Sequence, residues 1–184
     1  REMKYYDHHL AHATSAYRFS PFGPAKAMVF TLDENGDAAF SKVYLFEGDR
    51  VEEVAVSSVE KFFVDGRVFT SSIPSVYSNF TEAMGLYRSS DEGKVEALAA
   101  YGKVDAELYE HLDRTFSIEG TAYRVNMPVF REFCDINRLM EVRGRVGDEN
   151  FCATVQTWLE NKAVEYLRMM HEQFPADNLC IAGG

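Results

Sequence analysis

Three cysteines and 5 prolines in 184 residues are few, and 19 basic side chains stand against 29 acidic ones. Each shortage excludes something. Cys134, Cys152 and Cys180 are odd in number, widely spaced and set in apolar surroundings, which fits reduced core thiols of a cytosolic protein and not a disulfide framework. The formal net charge of −10 provides no basic footprint for a phosphate backbone, so DNA and RNA are not expected partners. No apolar run approaches the roughly 18 residues of a membrane span, and no basic-plus-apolar leader opens the chain, so a soluble, cytoplasmic protein without membrane contact is expected. Internal repeats, low-complexity tracts and long linkers are also missing. What is present, 46% hydrophobic and 14% aromatic residues, is enough to build one full core, and residues 1–184 are read as a single domain. The chain opens at Arg1 and stops at Gly184, directly after an apolar stretch where a loop should begin. It is therefore expected to be a piece of a longer polypeptide.

The pattern of apolar residues predicts an α/β fold. Residues 25–59 contain three β-rich runs separated by "DENGD" and "EGDR", whose Asn-Gly and Gly-Asp pairs favour the positive φ angles of tight turns, so an antiparallel meander is expected. Val76, Phe80, Ala83 and Met84 fall at helical spacing within 72–86, and Pro74 is tolerable in a first turn. A second helix, 93–102, is expected to close on Gly102. "TFSIEGTAYRVN", 115–126, reads as a small hairpin turning at Glu119-Gly120. The clearest helix covers 148–174: Phe151, Val155, Trp158, Leu159, Tyr166, Leu167 and Met170 make one apolar stripe, Asp148 is placed to cap it, and Pro175 stops it. An apolar strand ending in Gly183-Gly184 follows.

Three of the five histidines lie in "YDHHLAHATSAY", residues 5–16. On a helix His8 and His12 share one face, so two imidazoles can reach one metal ion, while His9 points about 100° away by the helical period. Imidazole suits iron, zinc, nickel or copper. Asp7 could orient His8 or serve as a ligand itself. Ordinary surface or core histidines are the competing reading. His111 and His171, in charged helical segments, read as surface residues.

"HHLAHATSAYRFSPF", "LDENGD", "YSNFTEAMGL", "EGKVEALAAYG" and "NLCIAGG" follow one another in an order that resembles the first part of the O-carbamoyltransferases of the nodulation and antibiotic-tailoring type. The resemblance covers essentially the whole chain. It implies the first ribonuclease-H-like lobe of an actin-like ATPase fold, with an antiparallel meander, a mixed sheet and flanking helices. It also implies an activity: a carbamoyl group moves from carbamoyl-adenylate, made from carbamoyl phosphate and ATP, to a hydroxyl of a small natural product. The remainder of the same polypeptide would supply the second lobe and the adenylate-forming domain.

The resemblance further implies site residues. A divalent metal, usually iron with zinc as the other choice, falls to His8 and His12, with a further aspartate ligand late in the second lobe. Asp33 and Gly36, in the "LDENGD" segment, are assigned to the phosphate side of the nucleotide; the family more often shows Asp-Gly-x-Gly-Asp/Glu, so one glycine is replaced here by Glu34. In "EGKVEALAAYG", Gly93 and Glu96 are assigned to the nucleotide and Glu92 and Lys94 to catalysis, because a glycine permits close approach, an ammonium offers a point charge and a carboxylate can accept from a hydroxyl. Glu82 could face the same cleft or solvent. Gly183 and Gly184 resemble the start of the loop that receives adenosine. Two other readings stay open: a metal- or nucleotide-binding lobe kept for assembly or regulation, and threonylcarbamoyl transfer to tRNA. The acidic balance, and a helix motif lacking that group's glycine-proline-rich loop, count against the tRNA reading.

Overall fold

The computed structural model describes residues 3–184. In chain order the first elements are α1 (His8–Arg18), β1 (Ala27–Gly36), β2 (Ala39–Glu47), β3 (Arg50–Ser58), β4 (Lys61–Val64) and β5 (Arg67–Thr70). Next come α2 (Ile73–Ala83), α3 (Glu92–Ala99), α4 (Ala106–Asp113), β6 (Phe116–Glu119) and β7 (Ala122–Val125). The last are α5 (Met127–Glu132), α6 (Ile136–Val146), α7 (Asp148–Gln173) and β8 (Asn178–Ala182). The fold is α/β, and its contacts divide into two compact units. The first comprises residues 3–60, 118–123 and 166–184; the second comprises residues 61–117 and 124–165.

The first unit is built on a four-stranded mixed sheet of order β3-β2-β1-β8. The expected meander forms β1 to β3, and β8 joins it in parallel, pairing Ala27 with Asn178 through to Thr31 with Ala182. One sheet face presents Ala27, Val29, Tyr44, Phe46 and Cys180 to Ala13 and Tyr17 of α1. The alternation of strand side chains makes this possible, and fully burying a side chain such as Val29 or Phe46 contributes about 1.5–3 kcal/mol. Aromatic rings pack the opposite face: Phe30 lies 5.7 Å from Tyr166, which stacks on Tyr123 at 4.4 Å.

The turn chemistry of the first hairpin differs from expectation. The positive φ angles fall on Asp37 (49°) and Ala38 (64°), not on Asn35-Gly36. Leu32 pairs with Ser41 and Gly36 with Ala39, so β1 carries extra residues over 33–35 and bulges out of register. A bulge re-aims the side chains it carries. Here it releases Asp33 from the strand alternation. The second turn behaves as expected, with Gly48 at φ 58°.

In the second unit, α2 starts on a Ser72 cap with its proline in the first turn, as expected. Its core stacks Phe80 on Phe151 at 4.3 Å and on Phe133 at 6.2 Å. The β4–β5 hairpin sets Phe62 opposite Phe69 and against Phe130. Two expected helix ends are corrected. Gly102 does not close α3, which stops at Ala99; a Cβ on Gly102 would sit 2.0 Å from the carbonyl oxygen of Glu149, so glycine is required there by close approach of the chain. Asp148 lies inside the first turn of α7 instead of capping it, and both its carboxylate oxygens accept from Arg143, at 2.7 and 3.0 Å.

Candidate functional site

The first unit gathers the histidine motif and the bulge at one end of the sheet. Asp7 caps α1 by accepting a hydrogen bond from the Leu10 N–H at 2.7 Å, and the next amide, that of His8, donates to Asp37 Oδ2 at 2.6 Å. With the helix started there, His8 and His12 lie one turn apart on the face toward β1. His8 Nε2 is 2.8 Å and His12 Nε2 3.3 Å from Asp33 Oδ2, and their rings meet edge to face with centroids 4.7 Å apart. The three ligand atoms all lie within 4.8 Å of one another. The histidines are about two-fifths exposed and Asp33 about one-fifth, so the cluster opens to solvent.

Two imidazoles and one carboxylate converging on a point, with the outward side open, form the donor set that suits ferrous iron and is also compatible with zinc. The residues present therefore fit the divalent metal that the sequence implies. Among the described residues this is the cluster of histidine, cysteine and acidic groups that could hold an ion. Two glycines make room for it. A Cβ on Gly36 would lie 2.2 Å from the His8 ring, and one on Gly183, whose φ is 115°, would lie 1.9 Å from the Leu32 carbonyl oxygen. Because β1 and β8 run parallel with Thr31 beside Ala182, Gly183-Gly184 leave the sheet next to the bulge. The carboxyl ends of parallel strands are where α/β sheets commonly bind ligands.

His9 does point away, as its position on the helix requires. It is fully buried, with Nδ1 2.8 Å from Thr31 Oγ1 and Nε2 3.1 Å from the Ala39 carbonyl. A carbonyl only accepts, so Nε2 carries the proton and Nδ1 accepts from Thr31. Burial holds the His9 pKa below its ordinary value, outweighing the hydrogen bond to Ala39. The residue docks α1 to the hairpin and stays neutral.

Asp7 does not contact the His8 ring. Besides capping, it accepts from Lys42 Nζ at 2.9 Å and from Tyr44 OH at 3.2 Å, while Lys42 Nζ also reaches Glu53 at 2.9 Å. Burial alone would raise the Asp7 pKa, but the hydrogen bonds from Leu10 and Lys42 outweigh it and the pKa is lowered. For Lys42 the same competition ends in a raised value, since Glu53 and Asp7 overcome the burial. Burial and these carboxylates also push the Tyr44 hydroxyl upward.

The remaining expected residues sit on the second unit. Glu92 Oε1 accepts from Ser78 Oγ at 3.0 Å and from the Ser89 N–H at 2.6 Å, and Lys94 Nζ pairs with Asp91 at 2.8 Å. Both are thus engaged around the start of α3. Gly93 has open space where a Cβ would go, and Glu96 is exposed. Glu82 is partly exposed and paired: it binds Arg67 at 2.6 Å, with Arg88 at 3.7 Å. His171 is exposed as expected, whereas His111 is three-quarters covered, packed on the Phe133 ring and 3.4 Å from Glu132. The three cysteines are free and buried, and burial pushes Cys134 up to about 12 and Cys152 up to about 11. No helix among the described residues is long and apolar enough to cross a membrane.

Sequence reasoning named Asp33 but placed it on the phosphate side, and it missed Asp37, Thr31, Lys42 and Glu53 as the groups that hold α1. The parity of the "DENGD" segment was the only signal available, and a bulge erases parity.

An uncharacterized protein of Methanocaldococcus jannaschii is 41% identical over 189 residues, covering all of this chain and 31% of that relative. One from Synechocystis sp. is 28% identical over 198 residues, covering 97% of this chain and 29% of its own length. A second uncharacterized Methanocaldococcus jannaschii protein is 22% identical over 191 residues, with 34% of its length covered. The chain thus spans about a third of the curated relatives it matches. Residues 1–184 match, end to end, the family described as carbamoyltransferase N-terminus, and with the histidine motif and its strand partner in place, the chain belongs to that family.

Proposed function

We propose that this chain is the metal-holding part of an O-carbamoyltransferase that moves a carbamoyl group from carbamoyl-adenylate to a hydroxyl of a small natural product. In that reaction the acceptor oxygen bonds to the carbamoyl carbon, the bond from that carbon to the adenylate phosphate oxygen breaks, and AMP leaves with the hydroxyl proton passing to a base. The observation that carries the reading is the approach of His8 Nε2 and His12 Nε2 to one oxygen of Asp33, at 2.8 and 3.3 Å. These three residues would hold the metal. When bound, the metal supplies Lewis acidity and a template for phosphate and carbamoyl oxygens.

The chain's own residues provide the rest of the frame. Asp7 and Asp37 fix the start of α1, His9 pins it to β1 and β2, and Gly36 and Gly183 keep space around the imidazole and the strand end. In this reading Gly183 and Gly184 face the adenylate, Gly93 and Glu96 contribute nucleotide contacts, and Glu92 and Lys94 serve the transfer. Carbamoyl phosphate and ATP are substrates of the longer protein, which is placed in the cytoplasm.

The test uses the full-length protein. Metal content and AMP release from carbamoyl phosphate, ATP and candidate hydroxyl acceptors are measured for wild type, His8→Ala and His12→Ala. Loss of metal and of transfer in both variants is expected, with adenylate synthesis retained. Retention of metal and rate in both variants sinks the assignment, and nucleotide binding without any carbamoylated product points to the assembly or regulatory reading.

A further inference from the structure

The segment "HHLAH" offers two frames. His8 and His12 can face β1, or a rotation of α1 by one residue, about 100°, can put His9 there in place of His8. Helix α1 is 11 residues long, and burial of Ala13 and Tyr17 against the sheet sets which side of it faces inward; within that frame, the place of His8 depends on what holds the first turn.

We propose that Lys42 is the positioning residue of the candidate metal site: through Asp7 it sets the rotational register at which α1 presents His8 and His12 to Asp33. The inference rests on the metal reading given above. Lys42 is 9% exposed, and its ammonium lies 2.9 Å from both Asp7 and Glu53. Asp7 is the cap of α1 and the residue directly before His8, so its position is the origin from which the helix rotates. Lys42 is also anchored at its other end. Its backbone N–H donates to Thr31 Oγ1 at 3.3 Å, and its carbonyl oxygen lies 3.2 Å from the same hydroxyl oxygen. Thr31 is the residue that meets His9. One strand residue therefore ties the helix start and the off-face histidine to a single frame.

The energetics separate this role from a plain structural one. Removing one partner of an ion pair is costly where the other charge is left buried, although an ionic contact of this kind can specify a single arrangement; here Asp7 and Glu53 are 31% and 43% exposed, so water compensates them when the ammonium is removed. Replacing the ammonium with a methyl-terminated chain one atom shorter should then loosen the register while sparing the fold. Groups that orient metal ligands from behind typically carry ten- to hundredfold in metal affinity.

The test is a competition titration of full-length protein with Zn2+ against a chelating indicator, the absorption spectrum of its Co2+ form, and a thermal melt. Lys42→Met is expected to bind at least about tenfold more weakly, to alter the Co2+ bands and to melt within a few degrees of wild type. Lys42→Arg, which keeps the charge, is expected to recover most of the affinity. Wild-type affinity and bands in Lys42→Met overturn the proposal. If that variant does not fold, Asp7→Asn keeps a capping oxygen for Leu10 and removes the charge that Lys42 holds; weaker metal binding supports the proposal and unchanged binding overturns it. His8→Ala separates the two levels: lost metal there, with unchanged binding in Lys42→Met, defeats the register claim alone, whereas retained metal there defeats the metal reading and this inference with it.

Discussion

Gly36 lies against the imidazole of His8: a Cβ at this position would come within 2.2 Å of Cδ2 and 2.6 Å of Cγ. The glycine is thus a condition for the ring's place beside Asp33. Gly36→Ala must displace the ring, and since His8 is about two-fifths exposed the ring can swing outward at modest expense. The stability loss is expected at the lower end of the 1–3 kcal/mol typical of overpacking, with metal affinity falling about tenfold or more. Urea unfolding and a metal titration of the same variant check both; a large loss of stability with unchanged metal affinity would refute the order of effects.

His9 serves the neighbouring contact. His9→Phe fills the same space but removes the proton donated to Ala39 and the acceptor for Thr31. Leaving buried partners without their bonds is expected to cost about 1–3 kcal/mol, read as a lower urea midpoint at unchanged slope. A variant as stable as wild type would show that this histidine does not dock the helix.

Much of the fold was legible from local pattern. The three meander strands, α2, the hairpin at Glu119-Gly120 and the long α7 all follow from turn residues and apolar spacing that their tertiary neighbours do not override. The β4–β5 hairpin was also readable in principle, since Asp65 and Gly66 both take positive φ as a two-residue turn requires. Helices α4, α5 and α6 bury few side chains, Leu108 and Leu112, Phe130, and Leu139 respectively, so few apolar residues mark them in the sequence. At the site, the imidazole pair was legible because four-residue spacing fixes a shared helix face. Asp33's partnership was not, because it depends on a bulge and on a strand 25 residues from His8. Gly102 and Gly36 show a related limit: sequence marks a glycine as a turn, while here the approach of a carbonyl or a ring requires it.

The second unit carries a pH response of its own. Burial lowers the pKa of His111 from its ordinary 6.5, with Arg114 and Arg138 adding to the effect and Glu132 opposing it. Folded His111 therefore binds a proton less readily than it does in the unfolded chain. Its contribution is complete above about pH 6.5 and is lost progressively as pH falls below that value toward the folded pKa. His111→Gln, which can still donate to Glu132, is expected to flatten this part of the acid limb in urea midpoints measured between pH 7 and 5. An acid limb identical in wild type and variant would mean that the folded and unfolded values coincide.

Gly183 and Gly184 look equivalent in sequence and are expected to behave differently. At Gly183 the backbone has φ 115°, a region an L side chain rarely adopts, and an added Cβ would meet the Leu32 carbonyl oxygen at 1.9 Å. Backbone strain of this kind costs roughly 1–3 kcal/mol, and the contact is with main chain of β1, which cannot swing aside as a side chain would. At Gly184 nothing lies within 4 Å of the same atom. Gly183→Ala in the full-length protein is therefore expected to lose about 3 kcal/mol or more, while Gly184→Ala stays within about 0.5 kcal/mol of wild type, as exposed substitutions usually do. Because Leu32 immediately precedes Asp33, the Gly183 variant should also weaken metal binding, and the Gly184 variant should not. Equal effects of the two substitutions on unfolding midpoint and on metal titration would show that β8 does not hold the bulge in place.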